Sequence, residues 1–160
     1  MRFRHQQRYD APPAEVHAML ADPVFREKVC RAQKATTATV SIEPAGAGMS
    51  VLVDQTRPSE GIPGFARKIV GDTIRIVQSE DWSSGTAAAL EVRIPGKPGE
   101  LIGTIAVAED GTGTVETIDG DLKVSVPLLG AKLESLISGL LAEALVAEQK
   151  VGRAWLRGDR

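Results

Sequence analysis

The sequence is poor in the residues that would indicate a disulfide, a metal site or a strongly charged partner. Cys30 is the only cysteine, so no intramolecular disulfide can form, and two histidines make a metal site unexpected. The net charge of −2 gives no electrostatic reason to bind nucleic acid. Aromatic residues make up 4%, so Val, Leu, Ile and Ala must fill most of the interior. We therefore expect no metal, no cofactor and no nucleic-acid partner.

Long apolar segments are missing as well. No run approaches the ~20 apolar residues of a transmembrane helix, and the first ten residues, MRFRHQQRYD, contain no apolar stretch typical of a signal peptide. With 42% hydrophobic and 25% charged residues, the composition is ordinary for a globular protein. We expect a cytoplasmic protein without stable membrane insertion. A length of 160 residues favours a single domain over residues 1–160.

The hydrophobic period changes twice along the chain. Residues 2–9 alternate as a strand, and two short helical patterns follow in residues 10–33. From residue 34 to Pro127 the period is two, which predicts six strands separated by turns rich in Gly, Pro and Ser. After Pro127, leucines recur at helical spacing over about residues 130–156. The pattern predicts an α+β fold with an antiparallel meander and one long C-terminal helix.

Three glycines lie inside predicted strands and suggest that the sheet is curved. Gly71, Gly103 and Gly120 interrupt the alternation, and a glycine inside a strand often marks a bulge or a sharp bend. A helix of about 27 residues would be ~40 Å long, enough to cross the whole sheet. We expect a curved sheet of seven strands wrapped around that helix.

This order of elements resembles the START-like superfamily, which includes polyketide cyclase/dehydrase and lipid-transport proteins. The segment YDAPPAEVHAMLADPVF at 9–25 resembles that superfamily's passage from first strand to first helix. GFARKIVG, VRIPGKPGELIGTI, VSVPLLGAKLES and the final WL are similar to an uncharacterised actinobacterial family within it. The resemblance covers nearly the whole chain, but none of these motifs is catalytic. It implies a helix-grip fold with a hydrophobic cavity that holds lipids, sterols, polyketides or similar compounds.

Glu148 is the most informative polar residue because it lies on the apolar face of the predicted helix. On a helical wheel it falls between Leu140 and Leu141, close to Ala144. A buried carboxylate is costly unless it is paired or protonated. Two interpretations follow: a structural salt bridge or hydrogen bond, or a polar anchor inside a ligand cavity.

Other candidates follow from strand phase. His5 and Tyr9 share a face of the first strand, although a histidine there can also be a hydrogen-bonded core residue. Residues 66–82 are predicted as one long strand with Val70, Ile74 and Ile76 in phase. Glu80 and Trp82 point inward if this strand continues that far, and otherwise lie in a loop. Residues 61–66 form either a flap closed by Phe65 or a plain connection. The predicted cavity-lining residues are His5, Tyr9, Phe65, Glu80, Trp82, Leu141, Ala144 and Glu148.

The function expected from fold and composition is carriage or sensing of a hydrophobic small molecule, in preference to catalysis. An alternative is a cyclase or dehydratase in which Glu148 and His5 transfer protons. A third is a protein-interaction module with a filled core and an exposed apolar patch. The enzyme needs two titratable groups near one ligand atom, whereas a carrier needs only volume and an apolar lining.

Overall fold

The computed structural model describes residues 1–160 and contains seven strands and four helices. The strands are β1 (Arg2–Tyr9), β2 (Thr37–Ala45), β3 (Gly48–Pro58), β4 (Thr73–Trp82), β5 (Ala87–Arg93), β6 (Gly99–Asp110) and β7 (Gly113–Val124). The helices are α1 (Pro13–Leu20), α2 (Pro23–Ala32), α3 (Gly64–Val70) and α4 (Gly130–Leu156). No helix combines the length and the apolar character that a membrane span requires.

The seven strands form one antiparallel sheet in the order β1-β7-β6-β5-β4-β3-β2. Strands β2 to β7 each pair with the next along the chain, as a meander, and β1 pairs with β7. The predicted fold class is confirmed: a helix-grip α+β fold in which the sheet faces the long helix α4 and two short helices follow the first strand.

Gly103 and Gly120 allow a close approach of β6 and β7. They are directly opposite each other in the strand register. A Cβ atom on Gly103 would overlap the carbonyl oxygen of Asp119, so no larger residue fits there without moving the backbone. Gly71 differs from this pair because it lies between α3 and β4, at a φ of 85° that glycine adopts without strain.

Helix α3 corrects the prediction for residues 66–71, which the alternation assigns to the start of a long strand. Ala66, Ile69 and Val70 have the i, i+3, i+4 spacing of a helix face, and Pro63 lies immediately before the first turn. Val70 is in phase with Ile74 and Ile76 of β4 when residues are counted in twos. It nevertheless belongs to α3, so this period crosses from a helix into a strand. Gly71 ends the helix, so the strand begins only at Thr73.

The two halves of α4 have different surroundings. In the C-terminal half, the ring of Trp155 packs edge-on against Phe25 at 5.6 Å. Gly152 lies so close to Tyr9 that a Cβ atom would be 2.7 Å from its ring. This half belongs to a solid core shared with α1 and α2. The preceding part of α4, residues 133–148, faces a cavity instead.

Candidate functional site

A cavity of about 620 Å³ lies between α4 and the inner face of the sheet. Of its 40 lining residues 24 are hydrophobic, so its wall is mainly apolar and its volume suits a small molecule. Helix α3 contributes to the wall through Ala66, Ile69 and Val70. The rim, where lining residues are exposed or half-buried, includes Lys34, Glu60, Gly61, Lys97, Leu140 and Glu143.

The predicted site residues divide into two groups. Glu80, Leu141, Ala144 and Glu148 line the cavity. The other four are not part of its wall: His5, Tyr9, Phe65 and Trp82. The structure therefore brings together the residues predicted from helix α4 with one residue from β4.

Tyr9 and His5 are on β1 and are not among the residues that line the cavity. Tyr9 is fully buried beside Gly152, and its hydroxyl has no hydrogen-bond partner in the chain. His5 is half-buried in β1 opposite Ile118, and burial lowers the pKa of its imidazole. His5 and Glu148 do not meet at one point of the cavity wall, as the predicted acid–base pair would require.

Phe65 and Trp82 support the wall without being part of it. Phe65 is on α3, where the ammonium group of Lys132 lies 4.1 Å from the ring centroid. The segment predicted as either a flap or a connection thus continues into a short helix. Trp82 is the last residue of β4, and its indole Nε1 donates a hydrogen bond to Glu80 at 2.7 Å.

Glu80 and Arg26 form a buried ion pair at the inner end of the cavity. The two guanidinium nitrogens donate to the two carboxylate oxygens, both at 2.8 Å, and the exposed fraction of Glu80 is 1%. Gln78 and Trp82 also donate to this carboxylate. Burial on its own would raise the pKa of Glu80, but the Arg26 charge and these hydrogen bonds hold it below its usual value. This charge is fully compensated within the chain.

Glu116 and Glu148 form a second buried acidic group, which we call the carboxyl pair. Both line the cavity, with exposed fractions of 2% and 8%, and neither has a cation within salt-bridge distance. One nitrogen, Nε2 of Gln7, donates to both, at 3.3 Å to Glu116 and 3.1 Å to Glu148. The salt bridge that we considered for Glu148 is therefore absent, and its partner is a neutral amide.

The carboxyl pair favours its protonated form. Burial, together with the nearby charge of Glu148, raises the pKa of Glu116 well above its usual range. Burial also raises the pKa of Glu148, and the Arg26 charge only partly opposes this. Two carboxyl groups of this kind can share a proton, and each can donate or accept a hydrogen bond at the cavity wall.

Arg57 is the other guanidinium near the cavity, and it lies close to the rim. It donates from Nε to Gln55 at 3.0 Å and from Nη2 to Gln33 at 2.5 Å. Gln33 is held in turn by the backbone carbonyl of Ala144, 2.9 Å away. No acidic group pairs with Arg57, and burial lowers its pKa.

Several residues of these polar groups were not predicted, and the sequence contains a signal for three of them, Glu116, Arg26 and Gln7. Glu116 is two residues before Ile118 on the same strand, so the period of two places it on the inner face. Arg26 is three and four residues before the buried Val29 and Cys30, on one face of α2. Gln7 falls on the inner face of β1 by strand phase but was not assigned to the site. For Arg57, at the end of β3, the alternation alone was too weak a signal.

The chemistry available in this cavity is therefore that of carboxyl, amide and guanidinium groups. No group of three or more His, Cys, Asp or Glu residues is placed to hold a metal ion. The wall offers apolar contact, hydrogen bonds from the carboxyl pair and a cation at Arg57.

Comparison with known proteins places this architecture in a family. Residues 4–156 match the model of the family described as "Protein of unknown function (DUF2505)". No curated protein matches. Similar solved structures include the protein TTHA0849 from Thermus thermophilus, with a TM-score of 0.67 and 16% identity over 96% of this chain and 94% of that one.

Two further structures extend the comparison. A START superfamily protein from Mycobacterium smegmatis has a TM-score of 0.64 and 11% identity, over 97% of this chain and 98% of that one. The di-domain ARO/CYC StfQ from the steffimycin biosynthetic pathway has a TM-score of 0.62 and 11% identity, over 96% of this chain but 49% of its own. At these identities the likeness shows the fold. The predicted START-like fold and the predicted link to a family of unknown function are confirmed.

Proposed function

The chain belongs to the DUF2505 family of proteins of unknown function, and from its START-like fold we propose that it binds a hydrophobic small molecule in the cavity. Its role would be to carry or sense that molecule, such as a lipid, a sterol or a polyketide-like compound. The observation that carries the proposal is the apolar cavity of about 620 Å³ between α4 and the sheet. A carrier needs volume and apolar surface, and this cavity offers both.

The position of the polar groups supports the same proposal. The Arg26–Glu80 pair is neutralised within the chain, so Glu80 does not present an uncompensated charge to an apolar ligand. The carboxyl pair favours protonation and can offer a hydrogen bond to a carbonyl or hydroxyl oxygen. An interaction module with a filled core would not contain such a space.

The test is to fill the cavity from α4 and to compare this with the same change on the outer side of the helix. Ala144 lines the cavity, whereas Val146 is 56% exposed on the same helix. We expect an environment-sensitive neutral dye to bind wild type saturably, at about one molecule per chain. Ala144→Trp should weaken this binding by about tenfold or more, because an indole occupies the ligand's space.

The matched variant Val146→Trp should bind the dye as wild type does. Circular dichroism and the midpoint of urea unfolding would show that both variants fold. If the dye does not bind wild type saturably, or if both variants bind it as wild type does, the proposal is wrong.

A second candidate function, proton transfer at a carbonyl compound, is favoured by the carboxyl pair. Two interacting carboxyl groups at a cavity wall, one protonated and one ionised, form an acid–base arrangement. The ionised group would remove a proton from the carbon next to a carbonyl, while the protonated one donates a hydrogen bond to its oxygen. The enzyme predicted from the sequence used His5 in place of Glu116.

Proton abstraction can be measured without knowing the natural substrate. A long-chain methyl ketone in D₂O would exchange its α-hydrogens for deuterium if a cavity base removes them, and NMR would follow the loss of signal. We expect Glu116→Gln and Glu148→Gln each to reduce any exchange catalysed by wild type by about 100-fold. Exchange no faster than in buffer would count against this function and would leave binding as the proposal.

A further inference from the structure

Arg57 differs from every other arginine in this chain. The remaining arginines are exposed to water, except Arg26, which is buried and paired with Glu80. Arg57 is half-buried at the cavity wall, and no acidic side chain lies within salt-bridge distance of it. A partly desolvated cation without an anion is costly, and this one is compensated only by neutral amides.

The nearby titratable groups do not supply that anion. The thiol of Cys30 is buried beside this region, and burial raises its pKa, so it stays neutral near pH 7. Glu60 and Glu143 line the rim but are exposed and do not pair with Arg57. Lys34, another rim residue, is itself a cation.

The guanidinium is held in a fixed position but is not saturated with partners. Gln55 on β3 binds Nε, and Gln33 at the end of α2 binds Nη2 and is itself anchored to the backbone of α4. Nη1 has no hydrogen-bond partner in the chain. Two of the five guanidinium N–H donors are thus used within the chain, and the three that remain can donate to the oxygens of a carboxylate.

We propose that Arg57 is an anion-binding residue, and that the ligand is an amphiphile whose carboxylate pairs with Arg57 near the rim while its apolar body fills the cavity. This inference rests on the proposed binding function and specifies the class of ligand: an apolar monocarboxylic acid, not a neutral sterol or ester. The carboxylate stays near the rim, where water remains close, and the apolar part replaces water along α4.

The test compares two ligands that differ only in the anionic group, hexadecanoic acid and hexadecan-1-ol. Each would compete with the neutral dye for wild type, Arg57→Gln and Arg57→Lys. We expect wild type to bind the acid at least about tenfold more tightly than the alcohol. Arg57→Gln should lose that preference and bind the alcohol as wild type does, whereas Arg57→Lys should keep part of it because a point charge replaces the two-pronged guanidinium.

Arg75 provides the matched control on the outer face of the neighbouring strand β4, where it is exposed and paired with Asp54. Arg75→Gln should leave both affinities unchanged. The inference is overturned if wild type does not prefer the acid, or if Arg57→Gln keeps the preference. In those cases the dye would still bind, so the proposed function would stand. Loss of dye binding by wild type itself would remove both.

Discussion

The two guanidinium groups near the cavity, one at its inner end and one near its rim, have opposite kinds of partner. Arg26 at the inner end meets a carboxylate with both terminal nitrogens and donates its third to the carbonyl of Leu20. Arg57 near the rim meets only glutamine oxygens. Arginine thus has a counter-ion and a partner for each nitrogen at the inner end, and it lacks a counter-ion near the rim.

This difference separates residues that support the fold from residues available to a ligand. Where every charge has its partner, as at Glu80, a change should reduce stability. Where a charge is held only by neutral groups, a change should alter binding and leave the fold nearly intact. The carboxyl pair is intermediate, because Glu116 and Glu148 are buried but share a single amide donor, Gln7.

The largest effect is expected at the inner end. Arg26→Met leaves Glu80 as an uncompensated buried carboxylate and should lower the free energy of unfolding by about 3–5 kcal/mol. Adding Glu80→Gln should recover part of this loss, because it removes the charge that was left without a partner. Urea unfolding of the single and double variants measures both quantities.

The exposed pair of Arg75 and Asp54 is the control for that experiment. It has the same residue chemistry on the outer face of the sheet, so Arg75→Met should cost less than about 1 kcal/mol. If Arg26→Met costs no more than Arg75→Met, the inner end does not stabilise the fold as we describe.

The carboxyl pair should give a pH-dependent effect of intermediate size. Because burial raises the pKa of Glu148, the folded chain holds this proton more tightly than the unfolded chain. The resulting stability is complete below the unfolded pKa and is lost as pH rises through the folded pKa. Wild type should therefore lose stability relative to Glu148→Gln over that range, by up to about 1.4 kcal/mol per pH unit for the one proton retained.

Urea unfolding of both proteins at a series of pH values from mildly acidic to neutral measures this difference. The side chain of Gln can still accept the hydrogen bond from Gln7, so the variant should fold. Glu143→Gln, an exposed change on the same helix, should not alter the shape of the pH curve. A difference that is constant with pH, or that has the opposite sign, would contradict the raised pKa of Glu148.

The smallest effect on stability is expected near the rim. Arg57→Gln removes a partly desolvated cation, which should raise the free energy of unfolding. It also removes two hydrogen bonds to neutral amides, which should lower it. We expect the free energy of unfolding to change by less than about 1 kcal/mol, as measured by urea unfolding at neutral pH. A loss comparable to that of Arg26→Met would mean that Arg57 is mainly a structural residue.

Local patterns predicted most of the fold, and they failed where two elements adjoin. The alternation of residues 2–9 and the leucine spacing of about 130–156 predicted β1 and α4 within a residue. The segment from Ala66 to Gly71 was assigned to a strand because Val70 is in phase with the isoleucines of β4. Period and phase are properties of short segments, so they cannot show that a helix and a strand adjoin at Gly71.

The site was only partly predictable for a similar reason. The helical wheel placed Ala144 and Glu148 on the face that lines the cavity, and strand phase placed Glu80 there. The same phase also included Tyr9 and Trp82, which the tertiary structure buries in the solid part of the core. Which part of an inward face meets a cavity depends on how far α1 and α2 fill the space beside α4.

The sequence by itself determined which residues face inward, because hydrophobic period follows directly from helix and strand geometry. It also indicated that the carboxyl groups of Glu80 and Glu148 would be among them. Only the tertiary structure decided which charges meet: Arg26 and Glu80 are 54 residues apart, and Gln7 and Glu148 are 141 apart. The packing of elements that are distant in sequence decides which charges come within salt-bridge distance. This packing gives Arg26 a carboxylate partner and gives Arg57 none, which leaves Arg57 available to a ligand.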